Sequence, residues 1–167
     1  SGLDFIVTVD DDLPRYLHGD RSKIRQILVN LLSNAIKFTD VGSIALRAKL
    51  VSSTNDGSHL IFEVEDTGSG IASHELDMLF EPFMQTSSGH NTNSGTGLGL
   101  PISREFAELM DGSIRVESEE GVGSCFCFEL SLPEAVNTVV AVDNKGKHIQ
   151  HLAPGQDVPK ILVVDDK

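Results

Sequence analysis

Before Pro133, the apolar residues of this chain twice switch from a period of two to helical spacing and back, so any fold must pair strands with helices. Leu3 to Val9 alternates and predicts a strand, followed by an acidic turn at Asp10-Asp11-Asp12 and by Pro14. From Asp20, a suitable N-cap, the residues Ile24, Ile27, Leu28, Leu31, Leu32 and Ala35 recur on one helical face. Gly42 to Val51 and Leu60 to Glu65 predict two strands joined by a polar turn over Ser52 to Ser58. A glycine-rich turn and a short helix from about Ser73 come next. Met84 to Gly99 is polar and aperiodic, which predicts a mobile loop. Leu98 to Met110 predicts a second long helix with Leu98, Ile102, Phe106 and Leu109 on one face, and Pro101 is tolerated there because it lies in the first turn. Ser113 to Ser118 and Ser124 to Leu132 predict a closing pair of strands around Gly121-Val122-Gly123. Pro133 then ends the compact unit. Residues 134–159 read as a linker, and Lys160 to Lys167 starts a new apolar strand.

Charge narrows the possible partners. The chain carries a net charge of −12 over 167 residues, which argues against binding a nucleic-acid backbone, since that needs clustered Lys and Arg. An acidic surface can still hold one locally positive site. No apolar run approaches the length of a membrane span and no signal peptide opens the chain, so direct membrane contact is not expected. Cys125 and Cys127 sit two apart in a strand-like run, on one face of it and poorly placed to bridge each other. Free thiols are the expectation.

Three short patterns carry chemistry. Asn30, Asn34 and Lys37 fall at i, i+4 and i+7, forming one polar stripe beside the apolar face of the first helix. An amide oxygen is a good hard ligand for Mg²⁺ and a lysine neutralises phosphate, but such a stripe is equally a solvated helix face. Asp66-Thr67-Gly68-Ser69-Gly70 follows a strand. A carboxylate there can accept from an exocyclic amine, and glycines let a flat ring approach, although D-x-G-x-G also occurs in many plain turns. Gly95-Thr96-Gly97-Leu98-Gly99-Leu100 runs into the second long helix, where backbone N–H groups can cradle phosphate. A flexible loop with a glycine cap has the same composition. The pattern is neither a Walker A loop nor a dinucleotide fingerprint.

The order and spacing of these patterns carry more than any one of them. Over Leu3 to Pro133 the sequence resembles the catalytic domain of histidine kinases, within the superfamily of gyrase, heat-shock chaperone and mismatch-repair ATPases. Asp20 to Thr39 resembles its N box and Asp66 to Ile71 its first glycine box. Leu79-Phe80-Glu81-Pro82-Phe83 resembles the F box, Gly95 to Leu100 the second glycine box, and Gly112 to Leu132 the closing hairpin. The resemblance implies an α/β (α+β) two-layer sandwich, a mixed sheet with helices on one face and an ATP lid over Met84 to Ser94.

It also implies roles. Asn34 would coordinate Mg²⁺ with Asn30 nearby, and Lys37 would contact phosphate. Asp66 would bind the adenine amine, with Gly68 and Gly70 shaping that wall and Ile71 packing near the base. Gly95, Gly97 and Gly99 would cradle the phosphates, Thr96, Leu98, Leu100 and Phe83 would join the cofactor-binding set, and Ser124 would supply a hydroxyl beside the adenine. The strand parity of Ser124 with Phe126 and Phe128 puts it on the helix-covered face. One departure is Asp111-Gly112, where family members often have Gly-Gly. Lys160-Ile161-Leu162-Val163-Val164-Asp165-Asp166 resembles the truncated first strand of a receiver domain, though a buried strand ending in acids opens many α/β domains.

The function implied is transfer of the γ-phosphoryl group of MgATP to a histidine on a separate dimerisation domain, with a receiver domain as a further partner. The fragment itself is expected to be a cytoplasmic monomer, from a parent that is cytosolic or membrane-anchored. Alternatives are an ATP hydrolase of the same superfamily, a protein-serine kinase of the anti-sigma-factor type, and a nucleotide-binding switch module. The hydrolases have Glu where this chain has Asn30, and an amide is no general base. None of the six histidines matches a phosphoacceptor motif. His74-Glu75 copies its first two residues only, His90 falls in the lid, His18 and His59 are expected in turns, and His148 and His151 fall in the linker.

Overall fold

In a computed structural model of the chain, residues 2–54, 57–84 and 96–135 are described, all within one compact unit, Ser1–Val136. The lid residues 85–94, Gly95 and the expected linker and receiver strand beyond residue 135 lie outside them. Five strands form one mixed sheet: β1 (Leu3–Val9), β2 (Gly42–Thr54), β3 (Gly57–Asp66), β4 (Ser113–Glu119) and β5 (Gly123–Leu132). The order is β1-β2-β3-β5-β4, with β1 parallel to β2 and every other pair antiparallel. Among the described residues the helices are α1 (Arg21–Phe38), α2 (Ser73–Leu76) and α3 (Gly99–Glu108).

α1 starts where expected. The Asp20 side chain accepts from the backbone N–H groups of Ser22 and Lys23 at 3.0 and 3.1 Å. Its apolar stripe buries Ile27, Leu31 and Ala35 against a sheet face built from Ile44, Leu60, Val64, Phe126, Phe128 and Leu130. Phe62 stacks on Phe128 with ring centroids 5.9 Å apart. The opposite sheet face is charged: Lys49 pairs with Glu63 at 2.6 Å, Arg115 with Glu129 at 2.7 Å, and Arg47 with Glu65. Among the described residues no helix covers this polar second face.

Three details differ from the sequence expectation. The expected apolar face of α3 is buried only in part, with Phe106 packed against the core. Ser103 and Ala107 are the buried residues, while Ile102 and Leu109 are 36% and 67% exposed. α3 packs on α1 through a seam of small side chains, where Asn30 Nδ2 donates to Ser103 Oγ at 2.9 Å; close helix approach selects for small residues there rather than for the largest apolar ones. His59 is in β3, not in a turn, because β2 and β3 run on to Thr54 and from Gly57, and its Nδ1 lies 3.1 Å from Ser131 Oγ. Glu134 and Ala135 also belong to the unit: Glu134 Oε1 accepts from Ser53 and Ser58 at 2.7 and 2.6 Å, and Ala135 N–H donates to Tyr16 at 3.1 Å.

Asp111 follows α3 with φ 54°, a left-handed conformation that an L residue adopts at a cost of roughly 1–2 kcal/mol. Its negative charge also sits at the negative end of the helix dipole. Asp111→Gly removes both penalties, offset by about 0.4–1 kcal/mol of extra unfolded-state entropy. A net gain of about 1 kcal/mol in urea unfolding is the expected result.

Candidate functional site

Sheet register assembles the site. Across β2, β3, β5 and β4 the residues Ile44, Asp66, Ser124 and Ser118 are successive cross-strand partners, so their side chains share the helix-bearing face in one row. This row lies at the end of β3 where the chain enters the glycine-rich turn. Beside it is a cleft, partly open to solvent. It is bounded by Asn34 and Phe38 from α1, Asp66, Ser69, Gly70 and Ile71 from the turn, Leu79, Leu100 at the start of α3, and Ser124 and Phe126 from β5. The walls are mostly apolar with a few convergent polar groups.

Asp66 is that cleft's buried acid, 6% exposed. Burial raises its pKa above the ordinary 3.8, while the backbone N–H groups of Gly68 and Ser124 and the nearby Thr39 hydroxyl pull it back. The Gly68 N–H reaches Oδ1 at 2.9 Å. Thr39 Oγ1 makes no hydrogen bond of ordinary geometry, and among the described residues it is the buried side-chain atom left without one. A carboxylate held by two backbone donors in an apolar wall retains lone pairs for an incoming amine.

The glycines of the first box are required by the protein's own backbone. A Cβ on Gly68 would lie 2.2 Å from the Phe38 carbonyl oxygen, and one on Gly70, at φ 65°, 2.0 Å from that of Glu119. The turn is thus wedged between the end of α1 and the β4–β5 connection. Ser69 N–H donates to Phe38 at 3.2 Å and Gly121 N–H donates to Ser69 at 2.7 Å. The expectation that these glycines only clear space for a ring missed this packing role, because both partners are remote in sequence.

The second glycine box leads into α3, whose N-terminus has no side-chain cap. Amides at an uncapped helix start are able to meet an anion. A Cβ on Gly99 would fall 2.4 Å from Asn30 Oδ1, so a larger residue there would have to displace the Asn30 amide. At the near end of the box, Gly97 has φ 69° and its carbonyl accepts from Phe83 N–H at 3.1 Å. Residues 83 and 97 are therefore held together across the segment between them.

Of the sequence-predicted residues, Asn34, Asp66, Gly70, Ile71, Leu100 and Ser124 line the cleft. Gly68, Gly97, Leu98 and Gly99 are half-buried and are not among the lining residues, and Thr96 is exposed. Asn30 is tied to Ser103 rather than facing the cleft. The Lys37 ammonium lies 4.9 Å from the Phe38 ring centre, just beyond the wall. Phe83 is 74% exposed and left-handed at φ 66°, apart from the cleft lining. Phe38, Ser69, Leu79 and Phe126 line it without having been singled out for binding, although all four lie within the expected boxes. The two thiols are free, and burial raises Cys125 to about 11, far from a reactive thiolate.

The family described as histidine kinase-, DNA gyrase B-, and HSP90-like ATPase matches residues 19–134. The chain belongs to this family. Its relatives within it are sensor kinases. Hybrid signal transduction histidine kinase B of Dictyostelium discoideum is 45% identical over 131 residues, 78% of this chain and 7% of that protein. Sensor protein TorS of Escherichia coli is 44% identical over 142 residues, 81% of this chain and 15% of that protein. The chain thus spans a small part of the curated relatives it matches. Among solved structures, full-length ShkA in complex with AMPPNP superposes with a TM-score of 0.67 at 35% identity, covering 81% of this chain and 27% of that one. The mycobacterial sensor histidine kinase MprB gives 0.64 at 25% identity over 80% of this chain and 85% of that one. The family membership and these superpositions confirm the two-layer α/β expectation. Among the described residues no helix is long and apolar enough to cross a membrane, and no group of three or more His, Cys, Asp or Glu side chains could hold a metal.

Proposed function

We propose that this domain binds MgATP in the cleft and presents the γ-phosphoryl group to a histidine on a separate helical domain of the parent protein. The observation that carries the reading is the buried Asp66 carboxylate in the same sheet row as Ser124, facing a cleft that opens towards Asn34 and the start of α3. Asp66 accepts from the adenine amine. Ile71, Leu79, Leu100 and Phe126 sandwich the base by apolar contact. The amides opening α3, with Gly97 and Gly99 giving them access, receive phosphate oxygens, and Lys37 adds positive charge at that side.

The donor set fits a Mg²⁺ ion held mainly by water and substrate phosphates. Asn34 offers an amide oxygen at the cleft wall, and the fixed amide of Asn30 stands next to Gly99. When bound, the ion supplies charge neutralisation between phosphate oxygens. The protein's own part is positioning, since phosphoryl transfer asks for little covalent work. Asn30 carries no basic group and its Nδ2 is committed to Ser103, which weighs against water activation and hydrolysis. With the relatives being sensor kinases, a receiver domain beyond residue 160 and a cytoplasmic location complete the proposal, as does a monomeric state for the fragment.

Incubation with γ-labelled ATP and a separately supplied histidine-bearing domain should place acid-labile label on that domain and none on this chain. The one local decoy is His74, exposed on the four-residue α2. Label on this chain alone, lost in His74→Gln, would overturn the reading. Asn34→Ala should weaken the Mg²⁺ dependence of ATP binding while metal-free binding survives. An intact metal dependence would move the role to Asn30 or to waters alone.

A further inference from the structure

The row that holds Asp66 and Ser124 ends in a residue outside the cleft lining. Ser118, on β4, is the cross-strand partner of Ser124 and stands behind it. Its Oγ makes three contacts: 2.8 Å to the carbonyl oxygen of Gly123, 2.8 Å to the backbone N–H of Ile71, and 3.0 Å to Ser124 Oγ.

A hydroxyl has one proton and two lone pairs, and here all three are assigned. The Gly123 carbonyl can only accept, so it takes the Ser118 proton. The Ile71 N–H can only donate, so it takes one lone pair. The remaining lone pair faces Ser124, so Ser124 must be the donor in that contact. The proton of Ser124 therefore points away from the cleft, and towards the cleft Ser124 offers lone pairs only. Asp66, as a carboxylate, also offers lone pairs only.

We propose that Ser118 is a specificity-determining positioning residue, which locks Ser124 as an acceptor and so makes the floor of the cleft favour a base with an amino group over one with a carbonyl group. This rests on the nucleotide reading above. A carbonyl at that edge meets oxygen lone pairs with no proton to share, and a buried acceptor left unpaired is costly. With Ser118 removed, the Ser124 hydroxyl is free to rotate and donate into the cleft. The penalty against a carbonyl base then falls, while Asp66 continues to serve the amine.

The test compares ADP with inosine diphosphate, which differ at the amino or carbonyl edge of the base, by calorimetry on the whole chain. The wild-type chain should prefer ADP. Ser118→Ala should cut the ratio of the two dissociation constants about tenfold, mainly by improving inosine diphosphate, and Ser118→Thr should restore it. Ser124→Ala should cut the ratio by a similar factor, and Ser118→Ala should add nothing in that background. Merely structural damage would weaken both nucleotides together and leave the ratio unchanged, which would overturn the proposal. So would a further drop when Ser118→Ala is added to Ser124→Ala. If Ser118→Ala does not fold, Ser124→Ala decides alone: an unchanged ratio overturns the inference. A wild-type chain that binds both nucleotides equally refutes this proposal only, whereas one that binds neither refutes the nucleotide reading beneath it.

Discussion

Asp66→Asn should lower ATP affinity about ten- to a hundredfold and leave the domain at least as stable as before at neutral pH. The affinity loss follows from removing a charge-assisted hydrogen bond, worth about 1.5–3 kcal/mol. The stability follows from the direction of the Asp66 shift. Burial raises its pKa above 3.8 despite the backbone donors that oppose it, so the folded state penalises the charged form. The favourable contribution of such a group is fully present below the unfolded pKa and is lost as pH rises through the folded value. At pH 7 the native domain therefore carries a cost that a neutral amide of the same size avoids, and the amide oxygen still accepts from Gly68. Thermal unfolding should show Asp66→Asn equal to or above wild type at pH 7, with the advantage gone once pH drops below about 3.8. Lower stability at pH 7 would mean that the lost backbone hydrogen bonds outweigh the desolvation. Unchanged ATP affinity would remove Asp66 from the base site. A stabilised variant that no longer binds nucleotide is the signature of a residue kept for function at some expense to folding.

Much of this was legible from residue order, and the exceptions share a cause. β1, α1 with its Asp20 cap, and the parity of Ser124 with Phe126 and Phe128 are local properties, and the structure places them as expected. Asn34, Asp66 and Gly70, which period and turn chemistry single out, and Ile71, which the family resemblance implies, do meet around one cleft. What sequence could not give were facts decided by a remote partner. The buried face of α3 is set by how closely it approaches α1, so Ser103 and Ala107 are chosen over Ile102 and Leu109. Asn30 appears in the sequence beside Asn34 as one polar stripe, yet one turn of helix separates a residue bonded to Ser103 from one facing the cleft. Ser118 carries no local signal at all. Its three contacts, to Ile71, Gly123 and Ser124, exist only once β4 and β5 pair and the first glycine turn is laid against them.

The same dependence on remote backbone makes Gly70 a sensitive position. Its φ of 65° costs an L residue roughly 1–2 kcal/mol, and a Cβ there would sit 2.0 Å from the carbonyl oxygen of Glu119 and 2.7 Å from its carbon. Neither is the tip of a flexible side chain, so relief requires separating the glycine turn from the β4–β5 connection. Two hydrogen bonds oppose that separation, Gly121 N–H to Ser69 at 2.7 Å and Ile71 N–H to Ser118 at 2.8 Å. Adding overpacking of about 1–3 kcal/mol to the conformational strain gives an expected loss of about 3 kcal/mol for Gly70→Ala, with nucleotide binding lost as the cleft wall shifts. Gly121→Ala supplies the comparison. Gly121 is also left-handed, at φ 81°, but a Cβ there meets nothing within 4 Å. It should cost only the conformational strain, about 1 kcal/mol after the unfolded-state gain, and leave ATP affinity intact. Urea denaturation of both variants measures the difference. Equal losses would show that the turn and the hairpin do not press on each other, and that Gly70 is required by its backbone conformation alone.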